Sequence, residues 1–116
     1  MNSWNDAREA TEFGATALTI LLLLKCTDFT YFIRAYQGTG IDYWLGKGTY
    51  TGNVLPTKKR KGRLEISGIL KETKSNSINM RIAQKKRQSK KTDNTKLPVY
   101  IAVVEFSLPK AKIIKK

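Results

Sequence analysis

Two carboxylates sit inside short apolar stretches where a charge is out of place. Asp42 lies in Gly40-Ile41-Asp42-Tyr43-Trp44-Leu45-Gly46, and Glu65 in Arg63-Leu64-Glu65-Ile66-Ser67-Gly68-Ile69. An ionised carboxylate among apolar residues needs a partner or a metal. Both stretches have strand character, and side chains alternate between the faces of a strand. Ile41 and Tyr43 then share one face, and Asp42 and Trp44 the other. Likewise Leu64 and Ile66 oppose Glu65 and Ser67. If the two strands pair, Asp42 and Glu65 converge. Two hard oxygen ligands beside a basic surface suit Mg²⁺ or Mn²⁺ and a phosphodiester. A structural role competes at each position. Asp42 could be a turn-proximal carboxylate bonded to local backbone. Glu65 could be an exposed strand residue paired with a cross-strand lysine.

The basic surface comes from composition. The chain has 116 residues, a formal net charge of +13 and no histidine. That length gives one domain with a modest core, spanning 1–116. The charge favours a polyanionic partner, nucleic acid before an anionic membrane surface. Without histidine, imidazole metal sites and Ser/His/Asp catalysis are excluded. The lone Cys26 allows no internal disulfide and no cysteine zinc site, which fits a reducing, cytoplasmic compartment. The apolar run Ala15–Leu24 is shorter than the roughly 20 residues that span a bilayer. Its acidic flank (Asp6, Glu9, Glu12 against Arg8) is wrong for a signal peptide, so a buried helix is expected.

Asp6–Lys25 reads as the first helix, capped by Asn5 or Asp6. Ala10, Gly14, Ala17, Leu18, Leu21 and Leu24 form a helical stripe, and the surrounding leucines imply burial on most sides. Glu12 is a first-turn carboxylate, exposed or overlooking a site. Thr27–Ala35 and Ile41–Leu45 read as a hairpin about the turn Gln37-Gly38-Thr39-Gly40, with Trp44 in the core. After the glycine-rich loop Gly46–Pro56 comes the basic run Lys58-Lys59-Arg60-Lys61, then a strand over Arg63–Leu70. Ser75 or Ser77 caps a helix from about Ile78 to about Lys90, and Ile78 and Ile82 give it a thin apolar contact. Arg81, Lys85, Lys86, Arg87, Lys90 and Lys91 make it strongly cationic. An anionic ligand would relieve that self-repulsion. Val99–Phe106 is apolar enough to be buried on both faces. The crossover through the basic helix sets it parallel to a neighbour. Glu105 at its end reads as structural, and the tail Leu108–Lys116 extends the sheet or frays.

Helix, three strands, helix, strand, with Asp42 on the second strand and Glu65 on the third, resembles the PD-(D/E)xK nuclease superfamily in near-minimal form. The resemblance covers nearly the whole chain. It implies an α/β (α+β) domain of order α-β-β-β-α-β, a restriction-endonuclease-like mixed sheet flanked by helices. It implies Mg²⁺ or Mn²⁺ held by Asp42 and Glu65, with the Ile66 carbonyl as a further ligand. Glu12 takes the place of the auxiliary helix carboxylate, and Gln84, Lys85 and Lys86 fall where a supporting residue could reach the site. The pattern departs at Ser67, where the superfamily usually has lysine. A serine cannot supply the positive charge that positions a water and stabilises the pentacovalent phosphate. Either Lys85, Lys86 or Lys71 has taken over that role, or the site binds without cutting.

The expected activity is hydrolysis of phosphodiesters in DNA, or RNA, with Lys58, Lys59, Arg60, Lys61, Arg81, Lys85, Arg87, Lys90 and Lys91 gripping the nucleic acid. The competing expectation is a noncatalytic nucleic-acid-binding module, or a subunit of a larger complex. So small a domain has little surface for both gripping and cutting a duplex, which a homodimer or a larger protein partner would remedy.

Overall fold

The computed structural model describes residues 3–48 and 59–116. Its elements are α1 (Ser3–Cys26), β1 (Phe29–Arg34), β2 (Tyr43–Lys47), β3 (Gly62–Ile69), α2 (Ile78–Ser89), β4 (Val99–Glu105) and β5 (Lys110–Lys115). A 3-10 segment, Lys90–Thr95, joins α2 to β4. The strands form one five-stranded mixed sheet in the order β1-β2-β3-β4-β5. Only β3 and β4 are parallel; the other neighbours are antiparallel. The expected α-β-β-β-α-β order is present. The tail adds a fifth strand, pairing from Tyr100↔Lys115 to Glu105↔Lys110.

Alternation along the central strands divides the core in two. Leu64, Ile66 and Val104 pack with Phe29, Leu45, Ala15 and Leu23 on the α1 face. Ile69, Val99, Ile101 and Val103 pack with Ile78 and Ile82 on the α2 face. Trp44 is buried beside Ile41, as expected of a core residue. Ser77 caps α2, its hydroxyl accepting from the Met80 N–H, while Glu72 accepts from the Ile78 N–H at 2.8 Å. These bonds satisfy donors that a helix start leaves open.

The face that α1 buries differs from the expected stripe. Thr11, Ala15, Thr19 and Leu23 point into the protein, whereas Ala10, Ala17, Leu18, Leu21 and Leu24 are exposed. Burial is confined to one side. The cause is close approach to β3. A Cβ on Gly68 would lie 2.8 Å from the Thr11 carbonyl oxygen and 3.2 Å from Ala15 Cβ. At that crossing only small side chains fit, which is why Thr11 and Ala15 rather than leucines occupy it. Among the described residues no helix is long and apolar enough to cross a membrane.

Buried and exposed apolar residues must therefore respond differently. Leu45 is fully buried and Phe13 is 81% exposed. Leu45→Ala should cost about 2–5 kcal/mol in urea unfolding. Phe13→Ser should stay within about 0.5 kcal/mol. Equal losses would mean that Phe13 has a packing partner.

Candidate active site

The chain bends immediately before β2. The Asp42 N–H donates to the Leu64 carbonyl of β3 at 2.9 Å, while its C=O accepts from Ala35 at 2.9 Å. In a regular antiparallel strand both groups would address the same neighbour. Ladder pairing between β2 and β3 runs only from Tyr43↔Leu64 to Leu45↔Gly62. Beyond Leu64 the sheet is open on that side of β3. There Asp42 Oδ2 accepts from the Ile66 N–H at 2.7 Å, so the carboxylate stands in for the missing strand. Strand alternation turns the Ile66 carbonyl to the same side. The turn leading to Asp42 is held against α2, because a Cβ on Gly40 would lie 2.1 Å from the Gln88 carbonyl oxygen. Gly40 also has φ +77°, a left-handed value that favours glycine.

Across the sheet, α2 runs antiparallel to β3 in a matched register. Arg81 Nη1 donates to Ser67 Oγ at 2.7 Å, Lys85 Nζ lies 3.0 Å from Glu65 Oε2, and Arg63 Nη1 donates to the Ser89 carbonyl at 2.9 Å. Four helical residues rise about 6 Å, close to two strand residues at about 6.6 Å. Positions 81, 85 and 89 therefore meet 67, 65 and 63 in turn. Ser67 is thus not beside a vacant charge. An arginine bonds it, and a lysine sits one strand step away.

Glu65 is only 2% exposed and is held by the Lys85 ammonium rather than by a cross-strand lysine. Its Oε2 makes no directed hydrogen bond among the described residues. Burial, then the Asp42 charge, push its pKa up to about 7, with Lys85 pulling the other way. Glu12, Asp42, Ile66 and Lys85 line one cleft of about 480 Å³, together with Arg8 and Arg34. Four of the expected residues are therefore brought together, and Glu65, which does not line the cleft, touches it through Lys85. Among the described residues no three acidic, cysteine or histidine side chains form a ready-made metal cluster.

The other expected residues scatter. Lys86, Arg87, Lys90 and Lys91 are exposed, and Lys86 does not line the cleft. Gln84 is likewise exposed and outside it. Lys59 and Lys61 are exposed, and Arg60 stacks 4.2 Å over the Trp44 ring. Lys58 lies outside the described residues, as does most of the loop Gly46–Pro56. Glu105 is structural. It accepts from the Ser107 and Leu108 backbone N–H groups and from the Ser107 hydroxyl, which holds its carboxyl below the usual range. Arg8 and Arg34 were not foreseen at the site. Arg34 carries a readable signal, since it ends β1 and the hairpin register sets it opposite Tyr43.

Comparison with protein-family models, curated proteins and solved structures returned no match.

The raised pKa of Glu65 has a definite sign in stability. The unfolded carboxyl gives up its proton near 4.5, and the folded one near 7. Between these values the folded state binds more protons, so stability falls as pH rises. From about pH 5 to about pH 7 the loss should be on the order of 2 kcal/mol. Glu65→Gln should remove this slope in urea unfolding across the window. A wild-type stability that climbs there would mean that Glu65 stays ionised when folded.

Proposed function

We propose that the domain is a divalent-cation-dependent nuclease that hydrolyses phosphodiesters, DNA before RNA. One observation carries the reading. Lys85 reaches Glu65 from α2, at the cleft that Glu12, Asp42 and Ile66 line, and so supplies the charge that Ser67 cannot. The donors fit a hard cation. Asp42 keeps one carboxylate oxygen clear of the Ile66 bond, and Glu65 has a buried carboxylate whose Oε2 pairs with the Lys85 ammonium, a charge that a bound cation would displace. Asp42, Glu65 and the Ile66 carbonyl would hold Mg²⁺ or Mn²⁺. When bound, such an ion supplies positive charge against a phosphoryl oxygen and acidifies a water.

The remaining work falls to the chain's own groups. Lys85 gives its charge to Glu65 in the resting site and to the phosphoryl oxygens as their charge develops. Arg8 and Arg34 flank the cleft and hold adjacent phosphates. Lys59, Arg60, Lys61, Arg87, Lys90 and Lys91 add diffuse attraction for the polyanion.

A second reading, a noncatalytic nucleic-acid-binding module, draws on the same pair, because Lys85 already neutralises Glu65. Calorimetry with Mn²⁺ and a plasmid-nicking assay separate the two. Under the nuclease reading wild type binds the ion, with affinity rising as pH passes about 7 because a proton leaves Glu65. Asp42→Asn keeps an acceptor for the Ile66 N–H but should lose ion binding and cleavage. Lys85→Met should keep ion binding and cut at least ~100-fold more slowly. Undiminished cutting by Asp42→Asn would exclude the mechanism. Salt-sensitive binding of nucleic acid with no heat from Mn²⁺ would establish the second reading.

A further inference from the structure

A second cavity, of about 570 Å³, lies on the other side of Glu12. Arg8 and Glu12, one helical turn apart on α1, line both cavities, so the two adjoin there. Its cationic walls are Arg8, Lys71 and Arg81, against Glu12 as the one carboxylate. Gly68 forms part of the lining where α1 approaches β3.

The cations are available to a ligand. Arg8 and Lys71 have no ion-pair partner among the described residues. Glu72, the acid next to Lys71 in sequence, is committed elsewhere. It pairs with Lys110 at 2.7 Å and accepts from the Ile78 N–H. Arg81 is anchored, with Nε donating to Asn76 Oδ1 at 2.7 Å and Nη1 donating to Ser67 Oγ at 2.7 Å. A guanidinium has five N–H donors, so about three remain, in a fixed fork suited to phosphate oxygens. Three cations against one carboxylate leave the cavity net positive, which an anion there would offset.

We infer that this cavity binds the backbone phosphates of a single nucleic-acid strand leaving the catalytic cleft, so that the substrate carries an unpaired segment. The inference rests on the nuclease reading of the neighbouring cleft. The volume falls within the roughly 300–1,000 Å³ range of small-ligand pockets. It suits one or two nucleotides but not a duplex, whose major groove alone is about 12 Å wide. Adjacency to the cleft across Arg8 and Glu12 favours a strand over a free phosphate.

Lys71 tests this, because it lines the second cavity and not the cleft. Lys71→Glu is compared with Lys112→Glu, an equal change of charge on β5. Both are titrated by fluorescence anisotropy with a labelled single-stranded oligonucleotide and a blunt duplex, in chelator without divalent cation. Lys71→Glu should weaken the single strand at least tenfold and flatten its salt dependence. Lys112→Glu should change it less than threefold, and the duplex should not distinguish the two variants. Equal loss in both variants, or equal loss for strand and duplex, would overturn the inference. Inorganic phosphate binding to wild type as tightly as the oligonucleotide would assign the cavity to a free anion and overturn it too. Because no cation is present, the two readings fail separately. A Lys71-dependent strand preference in a protein that never cuts sinks the cleft chemistry. Cutting without that preference sinks the cavity alone.

Discussion

Arg63 places a permanently charged guanidinium inside the protein, 3% exposed, and the α2 face is arranged around what that group needs. Arginine cannot escape its charge by losing a proton, so a buried one must be surrounded by acceptors. Nε and Nη2 donate to the Leu97 carbonyl at 3.0 and 2.7 Å. Nη1 addresses the Ser89 carbonyl, Thr92 Oγ1 and Asp93 Oδ1 at 2.9–3.1 Å. These acceptors come from the end of α2, the 3-10 segment and the approach to β4. One side chain of β3 thus fixes where the crossover helix ends and where it turns back. The Arg63 hydrogen bond, first among the causes, also holds the Asp93 carboxyl below its usual range.

Once Ser89 is held over Arg63, the positions of Lys85 and Arg81 follow from geometry. A helix advances over four residues about as far as a strand does over two. Lys85 then falls on Glu65 and Arg81 on Ser67. The cationic face of α2 is therefore divided. Two of its basic residues meet β3, while Lys86 and Arg87 face solvent. An ionised Glu65 would be costly in so dry a position, and Lys85 offsets only part of that cost. The carboxyl remains poised near neutrality. A group in that condition responds strongly to a cation or a phosphate placed beside it, which links the packing of α2 to the proposed chemistry.

The opening in the sheet is the other half of the site. Had β2 continued straight, its backbone would have occupied the donors and acceptors of Ile66. The bend at Asp42 leaves them to a side chain and a cleft. Gly40 permits that bend against α2, and Gly68 permits α1 to bring Arg8 and Glu12 over the same opening. Loss of regular pairing at one place therefore serves both the carboxylate and the access to it.

Local pattern in the sequence determined much of this protein. The alternation in Leu64–Ser67 set Glu65 and Ser67 on a common face, and the apolar run Val99–Glu105 marked a central strand. Asp42 and Glu65 stood out because a charge in an apolar strand requires compensation. Ser77 declared the start of α2 by its capping chemistry. Only the tertiary structure decided which lysine meets Glu65, since Lys85 and Lys86 are equivalent to any reading of composition. Register against Arg63 separates them. It also decided which side of α1 is buried. Apolarity favoured the leucine stripe, whereas the close crossing at Gly68 selected Thr11 and Ala15. Arg8 reached the site for the same reason. Its place depends on how near one helix can come to one strand, a distance that no spacing within α1 encodes.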